Sequence, residues 1–259
     1  MHLLPLVSES LHLLWPARCA ACDRQVPEDA LFCAPCNLAI NPMPAIGVCP
    51  GCALPFEAAP RDVMSDSERC RRCRRVPLPF ISAAAGFEYG ETIAHAIVRM
   101  KHGGRRDLAQ RLARLLVPAV AESLAHGRIG STDIVVPVPL HASKLRERGF
   151  NQALELARWA LIGLSRAPRL RPSAGLPRLE RNLLHRTRAT RELGRAGPGA
   201  RLAEVAGAFV VSDTARVRDR RVLLIDDVYT TGATFSECSN ALLAAGVTAV
   251  HALALARAV

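Results

Sequence analysis

From residue 81 onward, apolar positions follow two alternating patterns. Short continuous runs, ISAAAGFEY (81–89), DIVVPVPL (133–140), RVLLI (221–225) and TAVHALALA (248–256), put apolar side chains on both sides of an extended chain. Strands covered on both faces read this way. Between them, TIAHAIVRMKHGG (92–104), RDLAQRLARLLVPAVAESLAH (106–126), NQALELARWALIGL (151–164) and TFSECSNALLAAG (234–246) carry helical spacing. Gly103-Gly104 and Gly246 supply stops, and Pro118 marks a position for a kink. The alternation predicts an α/β fold, a parallel doubly wound sheet with flanking helices. Residues 165–201 lack either pattern, are rich in Pro, Gly and Arg, and are expected to be irregular.

Residues 1–80 are different in kind. MHLLPLVSESLHLLWPARC begins the chain as an apolar stretch broken by Pro5, Ser8, Glu9 and His12. Without a basic leader it reads as an amphipathic helix rather than a secretion signal. No apolar run is long enough to span a membrane, and a cytoplasmic location is expected. VPLPF at 76–80 is a linker signal, so the expected division is 1–80 and 81–259.

Eight of the nine cysteines fall before residue 74, as four C-x-x-C pairs: Cys19/Cys22, Cys33/Cys36, Cys49/Cys52 and Cys70/Cys73. Two such knuckles complete a tetrahedral thiolate site, so four imply two zinc ions and a double zinc ribbon. Joining sequential knuckles leaves loops of 10 residues (Cys22 to Cys33) and 17 residues (Cys52 to Cys70); crossed pairing remains open. Disulfides suit a secreted chain, and a redox C-x-x-C normally occurs once. A stretch this poor in large apolar side chains needs a staple, so the zinc is read as structural. Cys238, in the last predicted helix, is read as a small buried residue.

The formal charge of the 259 residues is +11, unevenly spread. Residues 1–80 hold 8 basic and 8 acidic side chains, whereas 144–201 holds 14 basic and 4 acidic. Thiolates bound to zinc would return part of the total. Such a segment produces a local positive field, although for any single arginine a solvated surface position is the simpler reading.

The most particular stretch is VLLIDDVYTTGAT (222–234). An apolar strand runs into two carboxylates, Asp226 and Asp227. Thr230, Thr231, Gly232, Ala233 and Thr234 then lead into a helix. In parallel sheets ligands bind beyond the carboxyl ends of strands. A helix N-terminus with a glycine turn and threonine hydroxyls favours phosphate. Adjacent carboxylates suit paired hydroxyls, or magnesium held through water. A phosphate and a diol side by side describe a ribose 5-phosphate. The blander reading is a strand-to-helix turn capped by Asp.

VLLIDDVYTTGAT resembles the phosphoribosyl pyrophosphate motif of type I phosphoribosyltransferases. That resemblance implies a type I phosphoribosyltransferase-like sheet, with Asp226 and Asp227 on the ribose hydroxyls as catalytic carboxylates and Thr230 to Thr234 around the 5-phosphate. Together with the cysteine knuckles, VPVPLHASKLRERGFNQA (136–153) and RTRAT (186–190), the chain is similar to the ComF family over essentially its whole length. Lys144 and Arg148 then fall where a pyrophosphate loop is expected, with Lys101 and Arg188 as weaker candidates; RGFNQ (148–152) reads equally as a helix start. The chain departs from the family at Glu192 and Glu204 and in the Gly-rich stretch 194–199. The resemblance implies phosphoribosyl pyrophosphate with magnesium as ligand and a part in DNA uptake or utilisation. Single-stranded DNA and other DNA-uptake proteins are the further partners it suggests. No general base stands out, so a transferase and a non-catalytic binding module both remain open.

Overall fold

A computed structural model describes residues 16–44, 46–56, 69–125, 132–170, 175–190 and 203–259. The expected N-terminal helix, Arg191, Glu192 and the Gly-rich stretch lie outside them.

Each second cysteine knuckle opens a five-residue helix, α1 (Ala34–Leu38) after Cys33 and α2 (Arg71–Arg75) after Cys70. There follow β1 (Ser82–Glu88), α3 (Glu91–His102), α4 (Arg106–Ala125), β2 (Ile134–Pro137), α5 (Ala142–Arg148) and α6 (Gln152–Ser165). The chain then forms β3 (Arg178–Leu179), β4 (Leu184–Arg186), β5 (Phe209–Val211), β6 (Arg221–Tyr229), α7 (Ala233–Ala244) and β7 (Ala249–Arg257). Five strands make one parallel sheet in the order β1-β7-β6-β2-β3. The expected parallel sheet with flanking helices, preceded by a cysteine-rich ribbon, is the observed architecture. Within the segment read as irregular, β3 joins the sheet and β4 pairs antiparallel with β5, which lies beyond that segment. Strands of two or three residues carry too little pattern to be seen in sequence.

Alternation along the central strands divides the core in two. Val222 and Leu224 of β6, with Val250, Ala252 and Ala254 of β7, face α7 through Phe235, Cys238 and Leu242. Leu223 and Ile225, with Leu253 and Leu255, face α3, α4 and α6 through Ile97, Leu112 and Leu156. Successive side chains of a strand point to opposite faces, so a continuous apolar run feeds both layers. Cys238 is fully buried in the first layer, as read from sequence.

Each layer also takes in one cysteine cluster. Cys19 and Cys33, with Phe32 and Val26, pack with α3 and α4, and Arg99 and Arg111 donate to the carbonyls of Cys19 (2.8 Å) and Arg18 (3.1 Å). Cys49, Cys52, Cys70 and Cys73 pack with Phe80, Tyr229 and Phe235 in the opposite layer. Composition changes at residue 80, but packing continues across it.

α4 and α6 meet at Gly163. A methyl placed there would lie 2.5 Å from Val117 Cγ2. Alanine in a helix interior gains about 1 kcal/mol over glycine, whereas forcing a methylene into a filled contact costs about 1–3 kcal/mol. The steric cost is the larger, so Gly163→Ala should lower the melting temperature. Val117→Ala in the same chain should recover the loss. A stabilised single variant in thermal denaturation would contradict this packing.

Candidate functional site

Two four-cysteine clusters are assembled, Cys19/Cys22/Cys33/Cys36 and Cys49/Cys52/Cys70/Cys73, with all ligand atoms of each within 4.8 Å of one another. Sequential knuckles pair, which settles the alternative left open by spacing. None of the nine cysteines is in a disulfide. The Cys22–Cys33 and Cys52–Cys70 sulfur separations are both 3.6 Å, close to the edge of a tetrahedron with metal–sulfur bonds of about 2.3 Å. The two sites are built alike. The amides of Asp23 and Ala53 return to the carbonyls of Cys19 and Cys49, and both residues are left-handed (φ 66° and 57°). Crowded thiols also favour a cation. Hydrogen bonds from Cys52 and Cys73 hold Cys49 far below the ordinary thiol range, while the bond with Cys49 pushes Cys52 up to about 12. These are two zinc-binding sites, and their residues suit the metal in number, type and spacing.

The second feature is a cleft of about 540 Å³ at the carboxyl edge of the sheet. It exists because β6 is longer than its neighbour: β2 ends at Pro137 opposite Ile225, while β6 continues to Tyr229 paired only with β7. The strand therefore runs past RVLLI and includes both aspartates. Alternation sends them to opposite faces. Asp227 follows Leu223 and Ile225 towards α3 and α6; Asp226 follows Leu224 towards α7, where it faces Cys238 and Arg186. Both line the cleft, as do Thr230, Thr231, Ala233 and Thr234 of the following turn. Gly232 lies within that turn at φ 84°, with the Tyr229 ring where a Cβ would sit (2.9 Å). Lys144 and Arg148 enter the same cleft from α5.

Asp227 is 3% exposed and fully engaged. Lys101 pairs with its Oδ2, and Gln152 Nε2 donates to its Oδ1 at 3.1 Å. Arg148 in turn donates to Gln152 Oε1 at 2.6 Å. RGFNQ is thus a junction. Arg148 ends α5, Phe150 enters the core, Asn151 caps α6 by accepting from the Ala153 amide (2.9 Å), and Gln152 reaches the carboxylate. Burial pushes the Asp227 carboxyl up, but the Lys101 charge and the hydrogen bonds outweigh it, and its pKa is lowered. Asp226 moves the other way: desolvation, then repulsion from Asp227, raises it well above the usual range. Of the pair, Asp226 therefore holds its proton to higher pH than Asp227 does.

Several lining residues lie in stretches singled out from sequence without being assigned a role there. Arg186 stands in the cleft, 5.4 Å over the Phe209 ring and bonded to Thr190, and its Nε has no partner among the described residues. Burial lowers its pKa, the signature of a cation short of counter-charge. His141 caps α5, accepting from the Ser143 amide at 3.3 Å. Lys101 is in the site, whereas Arg188 is not among the lining residues and turns to the carbonyls of Glu204 (2.9 Å) and Ala206 (3.1 Å). RTRAT thus contributes Arg186, its neighbour two residues earlier. Glu204 also lines the cleft.

The raised Asp226 pKa has a stability cost. As pH rises, the unfolded chain releases this proton first. The contribution is thus fully present below about pH 4, the value of a free aspartate, and is lost as pH climbs through Asp226's higher value. Asp226→Asn should therefore melt above the parent at neutral pH, with the gap closing under acid. Asp227→Asn should melt below it, because a lowered carboxyl contributes stability above the free value. A less stable Asp226→Asn at neutral pH would overturn this account of the pair.

Residues 10–74 match the model of the double zinc ribbon domain. The DNA utilization protein YhgH of Escherichia coli K12 is 27% identical over 214 residues, 81% of this chain and 84% of that one. Competence protein F of Haemophilus influenzae is 27% identical over 223 residues, 82% of this chain and 91% of that one. Among solved structures, the glutamine phosphoribosylpyrophosphate amidotransferase of B. subtilis is 20% identical with a TM-score of 0.35, over 60% of this chain and 30% of that one. The hypoxanthine-guanine phosphoribosyltransferase of L. donovani is 14% identical with a TM-score of 0.32, over 57% and 70%. The resemblance drawn from the motifs stands: over most of its length the chain is similar to the DNA utilization protein YhgH and competence protein F, and residues 10–74 match a double zinc ribbon.

Proposed function

We propose that the cleft binds phosphoribosyl pyrophosphate with magnesium, and that the chain acts as a phosphoribosyltransferase-class protein in DNA utilisation. One observation carries this reading: Asp226, Asp227, the turn from Thr230 to Thr234, Lys144 and Arg148, drawn from two distant segments, line a single cleft. In it the turn takes the 5-phosphate, the carboxylates take the ribose hydroxyls, and Lys144 and Arg148 face the pyrophosphate. Arg186 and His141 add a cation and a ring nitrogen on that side.

Transfer breaks the bond between ribose C1 and pyrophosphate while an acceptor bonds to C1. Positive charge grows on the ribose and negative charge on the leaving group. Asp227, joined by Asp226 once it has lost its proton, beside the first, and Lys144, Arg148 and Arg186 beside the second, are charges of the required sign. Asp226 and Asp227, as oxygen donors lining the cleft, would hold magnesium, and the ion would supply further neutralisation of the pyrophosphate. Asp226 must lose its proton to serve it, so binding that depends on magnesium should weaken as pH falls through Asp226's raised pKa.

Thr231→Val and Asp227→Asn should each weaken phosphoribosyl pyrophosphate binding by about 1–3 kcal/mol, the worth of a lost charge-assisted hydrogen bond. Calorimetry with magnesium, together with an assay of pyrophosphate release across acceptors, tests binding and turnover separately. Binding without release favours the non-catalytic module. Unchanged affinity in both variants removes the motif from the reading.

The names of the relatives and the basic balance of 144–201 support a second ligand, single-stranded DNA. Part of that charge is already paired within the fold: Arg178 meets Glu180 at 2.5 Å, and Arg158 meets Glu155 at 3.8 Å. The remaining arginines would bind phosphates with loss of counterions, so log affinity should fall by about 0.7 per contact for each unit of log salt. A fluorescence anisotropy titration at low salt that shows no binding removes DNA from the reading.

A further inference from the structure

The second four-cysteine ribbon touches the turn that the proposed function assigns to phosphate, and it does so through two arginines that serve no ligand themselves. Arg257, the last residue of β7, is 3% exposed. Its Nε donates to the carbonyl of Cys52 at 2.9 Å. Its Nη1 donates to the carbonyls of Thr230 (2.7 Å) and Tyr229 (3.1 Å). The guanidinium lies 4.4 Å from the centre of the Tyr229 ring, and that ring supports Gly232 from below. Arg72 sits inside the other knuckle, between Cys70 and Cys73, and donates to the carbonyl of Thr231 at 2.5 Å. Three consecutive carbonyls, of residues 229, 230 and 231, are thus held towards the ribbon.

The consequence follows from the peptide bond. In a trans peptide the carbonyl of one residue and the amide of the next point in opposite directions. Fixing the carbonyls of Tyr229, Thr230 and Thr231 on the ribbon side turns the amides of Thr230, Thr231 and Gly232 away from it. The cleft lies along this turn, with Thr230 and Thr231 in its lining. Successive amides aimed one way form an anion-binding concavity. Left to itself, a turn containing glycine samples many orientations.

We propose that the second four-cysteine ribbon is part of the anion site: Arg257 and Arg72 act as positioning residues that carry the geometry of the Cys49/Cys52 and Cys70/Cys73 knuckles into the turn Thr230–Thr234, and so set the affinity of the cleft for a phosphate monoester. The ligand in this statement rests on the reading given above; the mechanical link between ribbon and turn does not. Arg257 is the stronger arm, since one side chain spans both partners. Arg72 is exposed and makes a single bond to the turn, so its removal leaves the core intact.

Arg72→Ala and Arg257→Lys are compared with the parent in zinc content, amide hydrogen exchange at residues 230–234, and calorimetric affinity for ribose 5-phosphate. Lysine keeps the charge at 257 but cannot span three carbonyls. Both variants should retain two zinc ions. Exchange in the turn should quicken, and ribose 5-phosphate should bind about tenfold more weakly, the worth of one hydrogen bond to a charged group. Asp227→Asn, which acts at the hydroxyls, should lower affinity without changing exchange in the turn. Faster exchange in a protein whose parent form binds no ribose 5-phosphate would uphold the link and remove the phosphoribosyl reading. Zinc-loaded Arg72→Ala and Arg257→Lys with parental exchange across 230–234 would overturn the proposal.

Discussion

A carboxylate is held charged at the end of the central strand, and the site is organised around keeping it so. Asp227 is sealed from water on the face of the sheet that carries α3, α4 and α6. A buried unpaired carboxylate would cost several kcal/mol. Lys101 from the last turn of α3 and Gln152 from the first turn of α6 meet that requirement. Gln152 is itself fixed by Arg148, at the end of the short helix from the β2 edge. Three connections that could each adopt many shapes are therefore drawn to one atom pair. This constraint turns the open end of a parallel sheet into a cleft with a defined wall.

The two cysteine clusters solve a related problem on the two faces. Residues 16–56 contain few large apolar side chains, so they cannot close a core of their own. Each cluster is therefore laid against the sheet's helices, with Phe32 on one face and Phe80 on the other filling the contact. Thiolate clusters supply rigidity where apolar burial is scarce. On the α7 face that rigidity reaches the strand ends through Arg257 and Ala83, whose amide bonds the Pro50 carbonyl at 2.8 Å.

The fold was legible because its signals are local. Continuous apolar runs marked β1, β2, β6 and β7, helical spacing marked α3, α4, α6 and α7, and C-x-x-C spacing marked the ribbon. DDVYTTGAT and RGFNQ were visible for the same reason. The roles of Gln152, Tyr229 and Arg186, which lie inside quoted motifs, and of Arg257, which lies outside them, were not. Gln152 reads as an ordinary first-turn residue until Asp227 is placed 75 positions away. Arg257 ends a strand like any exposed arginine until its partners, 28 and 205 positions away, surround it. Arg186 could not be told from Arg188 by composition. What separates them is that Arg186, the last residue of β4, lines the cleft, whereas Arg188, beyond the strand, is drawn to the carbonyls of Glu204 and Ala206. The extension of β6 through two aspartates was also hidden, because carboxylates are poor strand formers and only the pairing with β7 carries the strand past them.

The strand's parity assigns the adjacent carboxylates different physical states, and this is what a pair of identical residues could not announce. Asp227 has its cation, its amide donor and its burial, so its charge is part of the scaffold. Asp226 accepts the Asp227 amide at 2.8 Å and has no ion pair among the described residues. Desolvation, with repulsion from its neighbour added, raises its pKa. Asp226 is therefore the group that can change charge at little structural cost. Lys144, Arg148 and Arg186 line the cleft with it. Releasing the Asp226 proton restores a carboxylate where hydroxyls or a divalent cation would sit. The burial and repulsion that raise the pKa of Asp226 thus weaken the folded state while leaving this carboxyl, unlike that of Asp227, without an ion pair among the described residues.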